Sequence, residues 1–171
     1  VDFAAVMERV QSVIQTIEPH DSVERFTSLG VECVQGEAFI KSPYEVAVGE
    51  RTITTRSIIV ATGARPLIPE ISGLEDTGYL TSDTIWRLRV LPKRLLVVGA
   101  GPIGCELAQA FSHLGSQVTQ VDMAERIMPR EDAEVSAAVT TRFEKDGITV
   151  LTGHSLRRFF VEHGQKKVEV S

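Results

Sequence analysis

Gly99, Gly101 and Gly104 stand in the loop Gly99-Ala100-Gly101-Pro102-Ile103-Gly104, which follows Leu95-Leu96-Val97-Val98 and opens an amphipathic stretch running to Leu114. Glycine at these positions, between a strand and a helix, is the pattern that seats the pyrophosphate of a dinucleotide. The first glycine permits a tight turn, the second lets backbone approach the ligand, and the third lets helix and strand pack closely. Pro102 suits the first helical turn, because its φ is already helical and its missing N–H would have no intrahelical partner. Free N–H groups and the helix dipole then favour an anion at this end. Ala108, four residues past Gly104, is small where the helix must cross the strand.

Asp122 closes the second predicted parallel strand, Gln117–Asp122, 18 residues after Gly104. An acid there accepts hydrogen bonds from both ribose hydroxyls of NAD. A 2′-phosphate would meet like charge, so NADP is the weaker candidate unless Arg126 turns to pair with it. The competing reading is that the glycines form only a compact turn and Asp122 caps the turn that follows.

Other chemistry is sparse. Cys33 and Cys105 lie 72 positions apart, which excludes a disulfide-dense scaffold, a zinc ribbon and a closely spaced redox pair, and points to a reducing cytoplasm. Cys105 falls in the first turn of the helix, where a thiolate could be stabilised, but without a partner cysteine it reads as a small core residue. Cys33 reads the same way. His20, His113, His154 and His163 have no ligand or triad spacing, so we expect surface or capping roles and no metal site. A net charge of -5 leaves no basic stripe for nucleic acid, and no apolar run approaches the roughly 18 residues of a membrane-spanning helix.

These residues need elements to hold them. Val6, Val10, Val13, Ile14 and Ile17 recur at helical spacing from Asp2 to Ile17, and Pro19 ends that helix. A short helix fits Ser22 to Leu29, with Gly30 as its stop. Apolar runs at Val31–Val34, Ala38–Ile40, Glu45–Val48 and Ile53–Val60, punctuated by Gly36, Pro43 and Gly49, predict a small β-meander. A turn-rich stretch with Pro66, Pro69 and Pro92 reads as a connector. Beyond it the chain alternates: strand Leu95–Val98, helix Pro102–Leu114, strand Gln117–Asp122, helix Glu131–Asp146 and strand Ile148–Thr152, so the strands are parallel. Leu156–Ser171 predicts a strand, a turn at His163-Gly164 and the start of another strand. The chain opens on Val1 inside a helix and stops within a strand, so we expect a stretch of a longer protein.

Three segments carry a family resemblance: ATGARP at Ala61–Pro66, GAGPIGCELAQAF at Gly99–Phe111 and VTQVDMAERIMPRED at Val118–Asp132. Together, in this order, they resemble the middle of a class I pyridine nucleotide-disulfide oxidoreductase, of the mercuric reductase and dihydrolipoamide dehydrogenase type. In that family an NAD domain is inserted into an FAD domain. The resemblance implies an α/β chain: a partial FAD-binding segment at 1–75 with a helix and small meander, a connector at 76–94, and a Rossmann-like NAD(P)-binding βαβ domain at 95–171, truncated at its C-terminal end. By position, Ala61, Thr62 and Gly63 match the second FAD motif, and Ala38 matches a small residue whose backbone meets the FAD adenine. Ile103 and Glu106 match positions beside the nicotinamide–flavin contact, and Leu156 one near the NAD adenine.

The family passes hydride from NAD(P)H to FAD and then opens a redox disulfide in a CxxxxC motif. It works on small-molecule substrates, usually as a homodimer. This chain has no CxxxxC, no first GxGxxG for FAD, no later Gly-Asp motif and no C-terminal dimer domain with its histidine. We therefore expect no catalytic residue in it and no complete electron path from it alone. Mercuric reductases typically use NADPH, against which Asp122 argues at the site itself. The alternative of another class is a free-standing, non-catalytic NAD-binding or regulatory module.

Overall fold

The apolar run Leu95–Val98 and the β-branched stretch Val118–Val121 are both too short for a helix, and both become strands of one parallel sheet. The computed structural model describes all 171 residues. Its elements begin with α1 (Phe3–Ile17), α2 (Val23–Ser28) and the strands β1 (Ala38–Ser42), β2 (Glu45–Val48) and β3 (Arg51–Thr54). A one-turn α3 (Leu74–Thr77) lies in the connector. Then come β4 (Arg94–Val98), α4 (Pro102–Leu114), β5 (Gln117–Val121), α5 (Ala133–Lys145) and β6 (Thr149–Leu151), and a hairpin of β7 (Leu156–Glu162) and β8 (Gln165–Val170). The chain packs as two units, Val1–Val10 with Pro66–Ser171, and Gln11–Arg65.

In the first unit the parallel sheet runs β4-β5-β6, with Leu95 opposite Val118 and Val98 opposite Val121. α4 begins on Pro102 and stops at Gly115, whose φ of +109° lets Ser116 N–H reach Phe111 O at 2.9 Å. Ala108 is fully buried on its inner face, and Val118, Ile127 and Phe143 are fully buried in the same cluster. Each of these larger side chains contributes about 1.5–3 kcal/mol by leaving water. The β7–β8 turn places His163 and Gly164 both at positive φ, the geometry of a two-residue hairpin.

Asp146, just past α5, ties the two helices together. Its carboxylate, 7% exposed, accepts from Gln109 Nε2 at 2.8 Å, His113 Nε2 at 3.0 Å and Arg142 Nη2 at 2.8 Å, while its backbone carbonyl accepts from Ser112 Oγ at 2.9 Å. The Gln109 amide, then the Arg142 guanidinium, hold this carboxyl below its ordinary value of 3.8, down to about 2. A depressed carboxylate pKa stabilises the fold above its unfolded value, and that stability is lost as pH falls through the folded value. Asp146→Asn is therefore expected to melt several degrees below the native protein at neutral pH. Melting curves should show the gap closing as pH drops from 3.8 towards about 2; a gap constant with pH would contradict this role.

Three expectations about elements change. In α1 the buried positions are Phe3 and Met7, with Val6 and Val10 half-buried and Val13, Ile14 and Ile17 exposed. The Phe3 and Phe111 rings pack 5.9 Å apart, so only the first turns of α1 reach the core. Val31–Val34 forms no strand, because the β1-β2-β3 ladder leaves it without a partner. β3 stops at Thr54 rather than reaching Val60. Thr55 Oγ1 there accepts from Ser57 N–H at 3.3 Å and donates to Ser57 O at 2.9 Å, turning the chain out of the ladder. Ile59 is consequently 90% exposed.

Candidate nucleotide site

The strand β4 ends at Val98, and the chain must reverse within three residues to start α4. Gly99 does this at φ +102°, where a side chain would be strained, and its N–H donates to Val121 O at 2.9 Å. Gly104 then packs against the turn: a Cβ on it would lie 2.3 Å from Gly99 O. Gly101 has the opposite surroundings, since a Cβ on it would meet nothing within 4 Å. The three glycines thus serve a turn, a close helix–strand approach and an open backbone, as the spacing predicts.

Polar groups fix the loop from both sides. Asp122 Oδ2 accepts from Ala100 N–H at 2.6 Å, and its Oδ1 accepts from Ala124 N–H at 2.7 Å. Ala100 O accepts from Met128 N–H at 2.7 Å. The N–H groups of Gly101, Ile103 and Gly104 make no hydrogen bond within the chain, as at any uncapped helix start. They and the α4 dipole give this end partial positive charge. Gly101 and Pro102 line a cleft of about 430 Å³ with Met128, Pro129, Arg130 and Glu131.

The remaining candidates fall around this loop or in the other unit. Ala100 is fully buried, whereas Ile103 is largely exposed beside it. Glu106 is exposed one turn past Pro102 and borders a smaller cavity of about 160 Å³ between α4 and α5. Leu156 opens β7, half-buried; just before it, Gly153 N–H donates to Ala124 O at 2.8 Å and His154 N–H to Asp122 O at 3.1 Å. Leu156 is thereby held near the Asp122 turn. Ala38, Ala61, Thr62 and Gly63 belong to the Gln11–Arg65 unit, Ala38 at the start of β1 and the others outside regular structure, all exposed.

Arg126, considered from the sequence as a partner for a 2′-phosphate, is otherwise engaged. Its Nη2 donates to Pro129 O at 3.2 Å and Glu131 O at 2.9 Å, and its Nη1 is buried without a partner. Cys105 is buried in α4, where burial pushes its thiol up and keeps it protonated. No cluster of three or more His, Cys, Asp or Glu side chains could hold a metal, and no helix is long and apolar enough to cross a membrane. Sequence reasoning missed Gln120, a fully buried amide in β5 whose Nε2 donates to Gly99 O at 2.9 Å. Only its position two residues before Asp122, on the same face of the strand, could have drawn attention to it.

Residues 4–171 match the family model described as pyridine nucleotide-disulphide oxidoreductase. A mercuric reductase from Bacillus cereus is 34% identical over 170 residues, which is 99% of this chain and 27% of that protein. A dihydrolipoyl dehydrogenase from Acholeplasma laidlawii is 32% identical over 133 residues, 75% of this chain and 40% of that protein. Among solved structures, a Cu(II) complex of the HOCl-induced flavoprotein disulfide reductase RclA from Escherichia coli aligns with a TM-score of 0.79 at 25% identity, covering 99% of this chain and 39% of that one. Three matched mercuric reductases are spanned over only 27%, 31% and 30% of their length. With the match extending over nearly every residue and the α/β architecture agreeing, the chain belongs to the pyridine nucleotide-disulphide oxidoreductase family.

Proposed function

We propose that this stretch supplies the nicotinamide-dinucleotide site, and part of the FAD site, of a flavin-dependent oxidoreductase. The observation that carries the reading is the glycine loop itself: the N–H groups of Gly101, Ile103 and Gly104 stand unpaired at the α4 N-terminus while Asp122 is fixed 2.6 Å from Ala100 N. Gly99, Ala100, Gly101, Pro102 and Gly104 would hold the pyrophosphate and Asp122 the adjoining ribose. Ile103 and Glu106 would border the nicotinamide, and Leu156 the adenine. Ala38, Ala61, Thr62 and Gly63 would contact FAD through exposed backbone.

A bound nicotinamide would supply hydride chemistry to a neighbouring flavin, for reduction of a disulfide or mercuric ion. This chain's residues position the donor, and none acts in the later steps. NAD is the preferred nucleotide, because Asp122 would repel a 2′-phosphate and Arg126 is held by Pro129 O and Glu131 O. The working enzyme would be a homodimer in the cytoplasm acting on a small molecule. The family match over residues 4–171 favours this reading over a free-standing module.

Anaerobic addition of NADH to the full-length enzyme that contains this stretch tests it. The expected result is a yellow protein whose flavin band bleaches. A colourless protein that binds NADH would overturn the FAD assignment and favour the module.

A further inference from the structure

Gln120 fills a place in β5 where a sheet interior ordinarily carries an apolar side chain, between the fully buried Val118 and Val121. A buried amide is tolerated only when its hydrogen bonds are made. Here one Nε2 hydrogen goes to Gly99 O at 2.9 Å and Nε2 faces Cys105 Sγ at 3.6 Å. The Cys105 thiol in turn donates to Ala100 O at 3.5 Å. Two successive carbonyls of the glycine loop are thus held from inside by side chains that touch each other.

The planarity of the peptide group gives this grip an outward consequence. In a trans peptide the C=O and N–H point in opposite directions. With Gly99 O held inward by Gln120, the N–H of the same peptide, that of Ala100, points to Asp122 Oδ2 at 2.6 Å. With Ala100 O held inward by Cys105 and Met128, the N–H of Gly101 is directed to the open side of the loop. Gln120 and Asp122 therefore grip opposite ends of one peptide group.

Resting on the dinucleotide reading above, we propose that Gln120 is a positioning residue for nucleotide binding. Through the Gly99–Ala100 peptide it sets both the outward N–H of Gly101 and the aim of the Asp122 carboxylate. It thereby governs affinity and the discrimination against a 2′-phosphate together. A residue that merely filled the core would affect neither ratio nor pH response.

The test is nucleotide titration of the native protein, Gln120→Leu and Gln120→Glu, with NADH, NADPH and ADP-ribose as probes and a melting curve for each variant. Gln120→Leu is expected to weaken NADH and ADP-ribose about tenfold, and NADPH less, so that the NADH preference narrows; leaving Gly99 O buried without its donor drives the change. Gln120→Glu keeps the shape; the ionisable side chain in contact with it is Cys105, which itself feels the charges of Asp122 and Glu106. As a neutral acid near about pH 5 it can donate to Gly99 O, and as an anion near about pH 8 it opposes that carbonyl. Its affinity relative to native should therefore fall as pH rises, which also keeps the test alive if Gln120→Leu fails to fold. A folded Gln120→Leu with native affinities and ratio, or a Gln120→Glu whose relative affinity ignores pH, overturns the proposal and leaves the dinucleotide reading standing. A native protein that binds none of the three probes overturns that reading itself.

Discussion

Replacing Gly104 by valine is expected to lower NADH affinity at least about a hundredfold, which corresponds to ~2.7 kcal/mol, and to lower the melting temperature. A Cβ at this position would stand 2.3 Å from Gly99 O and 3.2 Å from Gln120 Nε2. The first of these atoms is backbone and cannot rotate away. Either α4 lifts from β4 or the Gly99 turn changes shape, and both move the unpaired N–H groups that face the ligand. Overpacking of this kind costs about 1–3 kcal/mol in stability. Alanine, which adds only the Cβ, should act in the same direction with a loss of roughly tenfold. The contrast with Gly101 makes the argument specific, because a Cβ there meets nothing in the chain. Gly101→Ala should leave the melting temperature nearly unchanged and weaken NADH through the ligand's side alone. Calorimetric titration and melting curves on the three variants separate these cases, and native affinity in Gly104→Val would contradict the packing described.

The second large effect is expected at Asp122. Its two oxygens accept from Ala100 and Ala124 at 2.6 and 2.7 Å, and each retains a further lone pair for a ribose hydroxyl. Hydrogen bonds to a charged group contribute about 1.5–3 kcal/mol each. Asp122→Ala removes both loop bonds, so NADH affinity should fall by roughly tenfold to a hundredfold. NADPH should lose less, because the like-charge repulsion of its 2′-phosphate disappears with the carboxylate. Asparagine is not a silent replacement. Its single carbonyl oxygen can serve one of the two N–H groups, and its NH₂ then confronts the other. Asp122→Asn should therefore fall between alanine and native in NADH affinity, measured by the same titration. An Asp122→Ala protein with an unchanged NADH-to-NADPH ratio would remove Asp122 from the recognition of ribose.

The local architecture of the glycine loop is legible in the sequence. A glycine loop between an apolar run and an amphipathic stretch has few physical solutions, and the strand, turn and helix from Arg94 to Leu114 follow from it. Asp122 could be placed because strand length and helix length fix where the second strand ends. What resisted reading depends on partners distant in sequence. Gln120 looks like an ordinary polar residue until β5 is seen buried beneath Gly99. Arg126 was a plausible phosphate partner until the Pro129–Glu131 turn supplied carbonyls for it. Asp146 gave no signal at all, because its role needs α4 and α5 side by side. Val31–Val34 and Ser57–Val60 have strand-forming residues but no neighbouring strand to pair with in this chain, and composition alone cannot show that.

The loop from Gly99 to Gly104, with Asp122 beside it, is proposed as the seat of a nicotinamide dinucleotide of the non-phosphorylated kind. Titrating the native protein in parallel with NADH and NADPH tests it most directly. Saturable binding of NADH, tighter than that of NADPH, is the expected result. Tighter binding of NADPH, or no binding of either, would contradict the account.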